Sequence, residues 1–344
     1  MVQLFFIKKN ICILKITFFQ RKPYDFHFSI EKLFDTLRSN FSAKIECRIY
    51  TLPFFSNGLL SRFKSAIAAK RQQGTINHIT GDIHFITPFL KRNRTINTYH
   101  DFTFLKNSKG LSRFVLWLFW VYLPVRCSKY ITVISEVTKQ ELIKYTKCQE
   151  SKIHVIPNII PEHFQFHAKV INSENPTILH IGTTPNKNLT RLIEALKEVP
   201  CNLLIVGKLT DENSFLLNGY AIKYTNLYQI SDEQLHQAYV DCDILSFCSL
   251  NEGFGLPILE AQAIGRPVIT SNLSSMPEVA GKAACLVNPH DVNSIKEGIQ
   301  KIITDTVYRE QLITAGIENV KRYNPKTVAG MYEALYERIM KDLT

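Results

Sequence analysis

Twice along this chain, short runs of Ile, Leu, Val and Phe alternate with segments whose apolar residues recur every three or four positions. In the first half the apolar runs are Ile13–Phe19, Ile45–Thr51, Ile76–Thr80, Arg94–Tyr99 and Tyr130–Ile134. Helical patterns separate them at Ser29–Arg38, Leu59–Arg71 and Ser112–Cys127; in the first of these Ile30, Leu33, Phe34 and Leu37 share one stripe. The second half has runs at Asn175–Ile181, Asn202–Val206, Asp243–Cys248, Pro267–Thr270 and Ala284–Val287, with helical patterns at Leu189–Lys197, Ser231–Tyr239, Ser294–Thr304 and Thr306–Tyr323. Strands alternating with helices predict parallel sheets covered on both faces. Two prolines in Ile156-Pro157-Asn158-Ile159-Ile160-Pro161 break the pattern between the halves. At 344 residues, two domains can each bury a core.

Charge separates the halves as well. Residues 1–170 carry 26 Lys and Arg against 10 Asp and Glu, whereas the rest of the chain is net acidic. A basic first half suits an anionic partner, namely a membrane surface, a lipid-linked diphosphate or nucleic acid, or else is only a solvated face. The eight cysteines show no C-x-x-C pair and no zinc spacing, so they read as reduced thiols. The apolar start is broken by Lys8, Lys9 and Lys15, which excludes a transmembrane helix there and leaves residues 1–10 as a poorly ordered extension. The segment from Phe114 to Leu123 is apolar on all sides, flanked by Arg113, Arg126 and Lys129. It reads as a core helix or as an interfacial membrane contact.

The chemistry concentrates in Asn251-Glu252-Gly253-Phe254-Gly255-Leu256-Pro257-Ile258-Leu259-Glu260. An apolar strand precedes it and a helix with proline in its first turn follows it. The N–H groups of Gly253, Phe254, Gly255 and Leu256 would therefore face a bound anion or sugar hydroxyls at a helix amino end. The bland alternative is a glutamate that caps a helix and glycines that turn the chain. Glu252 and Glu260 in this setting resemble the E-x7-E motif of retaining glycosyltransferases of family 4. The likeness continues through Gly265-Arg266-Pro267-Val268-Ile269, Ser274-Ser275-Met276-Pro277-Glu278 and Gly281-Lys282-Ala283-Ala284.

The resemblance implies an α/β fold of the GT-B type, two Rossmann-like domains facing a cleft. They would span residues 1–160 (acceptor) and 161–325 (donor), with a closing helix in 326–344 that returns to the first domain. It implies transfer of a hexose from a nucleotide-diphosphate sugar, UDP- or GDP-linked, to a glycan or lipid-linked acceptor, without metal, cofactor or nucleic acid. The setting would be cell-envelope polysaccharide or lipid-linked glycan synthesis in the cytoplasm, with peripheral contact to the inner face of the membrane as an extension.

By the same resemblance Gly182, Thr183 and Lys187 form the donor-phosphate loop, Glu260 meets the ribose, and Glu252 orients sugar hydroxyls or stabilises an oxocarbenium-like state. Tyr228-Gln229-Ile230 would lie near the base, His100 beside Asp101 would point at the donor sugar, and Ser135-Glu136 matches a cleft pattern. Thr183 stands where the family has an arginine or similar residue, and Lys208 is the cation able to replace it. The Gly-Gly turn usual after the first strand is absent from Gln20–Ser29. Asp241-Cys242-Asp243 has D-x-D spacing but begins a buried strand, so it is not expected to hold metal. Two alternatives stay open: a non-catalytic sugar-nucleotide-binding subunit, and a GT-B-like sugar-nucleotide epimerase. A nicotinamide dehydrogenase is disfavoured, because no G-x-G-x-x-G follows an early strand.

Overall fold

The computed structural model describes residues 13–22 and 29–344. The expected amino-terminal extension and most of the loop after the first strand lie outside the described residues.

Two six-stranded, all-parallel sheets organise the chain. The first holds β1 (Leu14–Gln20), β2 (Ile45–Thr51), β3 (Ile76–Ile79), β4 (Thr95–Tyr99), β5 (Tyr130–Val133) and β6 (Ile153–Val155), in the order β2-β1-β3-β4-β5-β6. The second holds β7 (Thr177–Ile181), β8 (Asn202–Val206), β9 (Lys223–Leu227), β10 (Ile244–Phe247), β11 (Val268–Ser271) and β12 (Cys285–Val287), in the order β12-β11-β10-β7-β8-β9. This second order is that of a doubly wound nucleotide-binding sheet. It reverses between β7 and β10, which pair Ile244 with Ile178 and Leu245 with Leu179. The first sheet reverses between β1 and β3. Crevices for ligands open outside the carboxyl ends of the strands at such switch points.

The central strands β3, β4, β10 and β11 are buried along their whole length, and β3 and β4 bury polar residues too, Asn77, His78, Thr95, Asn97 and Thr98. On one face of the second sheet Leu192, Ile193, Ile295 and Ile299 pack over Ile178, Leu203 and Ile205. On the other face, Ile258, Leu259 and Tyr239 pack over Leu179 and Leu245. The last helix, Pro325–Lys341, lays Val328, Tyr332, Tyr336 and Ile339 against Leu14, Ile16 and Phe18 of the first sheet and Phe34 of the helix Ser29–Ser39. Buried His78 holds that helix, with Nδ1 2.7 Å from the Tyr336 hydroxyl and Nε2 2.7 Å from Thr98 Oγ1. Burial pushes the His78 pKa down to about 3, so the ring stays neutral.

Several elements depart from the sequence reading. Ser112–Cys127 is not one regular helix: it runs as Gly110–Leu116, a π-helical stretch Trp117–Tyr122, and Leu123–Cys127. Its apolar faces are shared between core and solvent. Trp120 and Val121 are buried, whereas Leu111, Phe114 and Phe119 face outward. The wide turn leaves both indoles bonded to carbonyls, Trp117 Nε1 to Tyr145 O at 2.9 Å and Trp120 Nε1 to Asp82 O at 2.8 Å. Thr306–Tyr323 is α-helical only to Asn319 and ends in a 3₁₀ turn. The helices Glu136–Thr146 and Asp211–Gly219 add to those expected.

Candidate functional site

The switch point of the second sheet brings two loops together. After β7, Gly182 adopts φ 90°, a conformation that favours glycine. A Cβ there would lie 2.9 Å from Lys187 Cγ, so the lysine stem lies directly over the glycine. Lys187 Nζ sits 2.6 Å from Glu252 Oε1, in the loop after β10, and 4.7 Å from the centre of the Phe247 ring. Asn186 Nδ2 donates to Asn251 O at 3.3 Å and to Glu252 Oε1 at 3.4 Å. Sequence spacing could not show this pairing, which joins residues 65 positions apart.

The Glu252 loop is held by its carbonyls. Ser274 Oγ and Ser275 Oγ donate to Glu252 O at 2.7 and 3.0 Å, and Ser275 Oγ also donates to Phe254 O at 2.7 Å. Gly253 O accepts from Ser135 Oγ of the first domain at 2.9 Å. With three successive carbonyls engaged, the N–H groups of Gly253, Phe254 and Gly255 donate to no protein acceptor among the described residues. Gly255 has φ 110° and leads into the helix Leu256–Ile264, with Pro257 in its first turn. The loop thus presents open donors at a positive helix end. The serines were part of the motif likeness, but their role as carbonyl holders was not readable from it.

Glu260 projects from that helix, partly buried, and accepts a hydrogen bond from the Tyr239 hydroxyl. Burial pushes its pKa up to about 7, while the Tyr239 bond acts in the opposite direction. Thr183 Oγ1 donates to Lys208 O at 2.6 Å, and a Cβ on Gly207 would meet Thr183 Cγ2 at 2.9 Å. The backbone of Lys208 is therefore fastened to the Gly182 loop, and the Lys208 side chain is exposed. Tyr228 to Ile230 follow the edge strand β9, two strands from the switch point. Asp243 is a structural residue: its oxygens accept from Asn172 N at 3.3 Å and Thr177 N at 2.8 Å, and Lys169 Nζ lies 3.1 Å away.

From the first domain, His100 follows β4 and its Nε2 lies 2.9 Å from Thr80 O. Bonding a carbonyl requires a proton on Nε2, which leaves Nδ1 as the acceptor of a neutral ring. Burial lowers the His100 pKa and favours that neutral form; the nearby carboxylates and the Thr80 bond partly offset it. Asp101 Oδ1 accepts from Thr103 N at 2.7 Å, just before the short helix Thr103–Lys106. The two domains meet here closely. A Cβ on Gly253 would lie 2.6 Å from His100 O and 2.9 Å from Asp101 Cβ. Beside this contact Glu278 accepts from Glu136 N at 3.1 and 3.0 Å across the domain boundary. A cavity of about 310 Å³ at the first sheet's switch point is lined by Arg21, Phe54, Phe55, Asp82, His100 and Trp120, among others. Instead of a glycine turn, the loop after β1 offers Arg21, whose Nε lies 2.8 Å from Glu31 Oε1 and whose Nη1 lies 2.9 Å from Asp82 Oδ2.

Two parallel α/β sheets, with candidate residues from both gathered at one domain contact, define a two-domain GT-B architecture. The model of Glycosyl transferases group 1 matches residues 161–319, and that of Glycosyltransferase Family 4 matches residues 35–164. The chain belongs to this family of GT-B glycosyltransferases. It is 30% identical over 208 residues to the serotype-specific mannosyltransferase WbdA of Escherichia coli, covering 53% of this chain and 25% of WbdA. It is 28% identical over 265 residues to the capsular polysaccharide biosynthesis glycosyltransferase CapM of Staphylococcus aureus, covering 69% of each. The alignment thus spans about a quarter of WbdA. In fold it is similar to Anabaena Alr3699/HepE in complex with UDP and glucose. The TM-score is 0.76 at 16% identity, over 94% of this chain and 100% of that one.

Proposed function

We propose that this chain transfers a hexose from a UDP- or GDP-linked donor to a hydroxyl of a glycan or lipid-linked acceptor, with retention at the anomeric carbon and without a metal ion. The observation that carries the reading is the Lys187–Glu252 pair at the switch point, beside the open N–H groups of Gly253 to Gly255. The names of WbdA and CapM, and the UDP and glucose held by HepE, support it.

In this mechanism the donor diphosphate draws Lys187 away from Glu252. Lys187 and Lys208 then balance the charge that grows on the departing phosphate; one such group is worth about 3 kcal/mol of barrier. Glu252, freed from its partner, faces the sugar and orients its hydroxyls or stabilises positive charge at the anomeric carbon. His100 accepts a hydrogen bond from a sugar hydroxyl at Nδ1, and Glu260 takes the ribose hydroxyls in place of the Tyr239 hydroxyl. The bond from the anomeric carbon to the phosphate oxygen breaks and one to the acceptor oxygen forms on the same face, the acceptor hydroxyl proton passing to the departing phosphate oxygen, in a cleft whose closure excludes water.

The test is donor hydrolysis without acceptor, compared between wild type and Glu252→Ala. Slow hydrolysis in wild type and its loss in the variant are expected. Hydrolysis that survives the substitution removes Glu252 from the mechanism, and nucleotide binding without turnover in any form indicates a binding subunit.

A further inference from the structure

The helix Glu136–Thr146 of the first domain does not complete its own amino end. The first N–H groups of an α-helix lack an intrahelical acceptor and take one from a side chain. Here the N-cap Ser135 Oγ accepts from Thr138 N at 3.1 Å. The carboxylate that serves the first two turns' donors comes from 142 positions away. Glu278 of the second domain accepts from Glu136 N through both oxygens, at 3.1 and 3.0 Å, and from Val137 N. The helix's own acidic residue, Glu136, turns instead to Lys139 Nζ at 3.3 Å. By contrast the helix Asp232–Asp241 completes its end locally, with Ser231 and Gln234 in a capping box. The helix dipole favours an anion where Glu278 sits.

Glu278 is rigidly mounted. Its short helix, Met276–Ala280, buries Met276, Val279 and Ala280 completely, and Asn319 Nδ2 donates to Val279 O at 2.9 Å. The residues just before it hold the Glu252 loop: Ser274 and Ser275 donate to Glu252 O, and Ser275 also to Phe254 O. The carbonyl between these two, Gly253 O, is held from the first domain. Its donors are Ser135 Oγ at 2.9 Å and Thr138 Oγ1 at 3.4 Å, both at the helix end that Glu278 receives. Three successive loop carbonyls are therefore fixed from two domains, and Glu278 is the charged group that fastens one set of holders to the other.

We propose that Glu278 is a positioning residue for transfer. It seats the amino end of the Glu136–Thr146 helix on the second domain and so fixes Gly253 O. That contact aims the open N–H groups of Gly253 to Gly255 and holds His100 against the loop. This role rests on the glycosyltransferase reading of the site and adds a residue through which the first domain sets the geometry of the second.

The test is steady-state donor hydrolysis and transfer by Glu278→Ala and Glu278→Gln. Nucleotide-induced thermal shift and small-angle X-ray scattering are measured on the same preparations. Glu278→Ala should lower kcat about tenfold or more. Donor KM and the thermal shift should stay near wild type, because Gly182, Lys187 and Glu260 all lie in the second domain. Glu278→Gln keeps the shape and one acceptor oxygen, so it should regain part of the loss, and it carries the test if the alanine variant is unstable. The radius of gyration of nucleotide-bound Glu278→Ala should exceed that of wild type. In a double-mutant cycle, Glu278→Ala and Ser135→Ala should together cost far less than the product of their separate losses, because both free the same helix end. Wild-type kcat in both Glu278 variants overturns the proposal. So do losses that simply multiply, an unchanged radius of gyration, or a fall in nucleotide binding equal to the fall in kcat. A wild type that turns over no donor refutes the enzymatic reading itself, whereas the outcomes above refute only the role of Glu278.

Discussion

Gly253→Ala is the substitution that most directly probes how the two domains meet. Gly253 is not in the left-handed region, so alanine carries no backbone strain there. The cost comes from across the cleft: the added methyl would lie 2.6 Å from His100 O and 2.9 Å from Asp101 Cβ, whereas ordinary contact begins at 3.4 Å. His100 O is backbone and cannot rotate aside, so the domains must separate by about 0.8 Å at this point. A misplacement of about 1 Å between reacting groups costs roughly 10²-fold in rate, or ~2.7 kcal/mol of barrier. The Gly182, Glu252 and Glu260 groups stay in one domain, so nucleotide binding should change little. The assay is transfer or donor hydrolysis by the variant, with the nucleotide-induced thermal shift measured alongside. A roughly hundredfold loss of kcat with a near-normal shift is expected. Wild-type kcat would refute the reasoning, because the observed domain contact would then not be the catalytic arrangement.

Three further outcomes follow from the geometry. Glu260→Gln should remove a pH dependence: the wild-type carboxyl, raised to about 7, is ionised above that pH, so nucleotide affinity should rise between pH 6 and 8, whereas the variant stays flat in titration calorimetry. The same raised pKa stabilises the fold fully below about 4.5, and that contribution fades as pH rises through 7, which pH-dependent melting of the two forms can check. Lys208→Met should weaken nucleoside diphosphate binding about tenfold while sparing the free nucleoside; equal effects on both would deny Lys208 a phosphate role. Ser135→Ala removes the shorter of two cross-domain bonds to Gly253 O, the other coming from Thr138 Oγ1 at 3.4 Å, and should lower kcat more than it raises the donor KM, as steady-state kinetics would show.

The parts of the fold readable from sequence are those that burial writes into composition. The strands of Ile178, Leu203, Ile244 and Val268 are apolar because helices cover both sheet faces, and their bounds emerge within about two residues. What escaped was polar or short. The edge strand β9 is mostly solvent-facing, β6 has three residues, and Glu136–Thr146 and Asp211–Gly219 carry too many polar residues to announce a helix. The candidate site divides similarly. Glu252, Glu260 and the glycines lie in one contiguous stretch with a recognisable pattern. The Lys187–Glu252 pair, the serines that hold the loop carbonyls and the Tyr239–Glu260 bond depend on strand order and on contacts between distant segments, which local spacing does not encode.

The most direct test of the central claim is thermal stabilisation by a panel of nucleoside diphosphates and their sugars, with chelator and with magnesium. A ligand at 100 times its dissociation constant adds about 2.7 kcal/mol of stability. A clear shift is expected with a uridine or guanosine diphosphate or its sugar, equal in both conditions and reduced in Lys187→Met. No shift with any nucleotide, or one that appears only with magnesium, would contradict it.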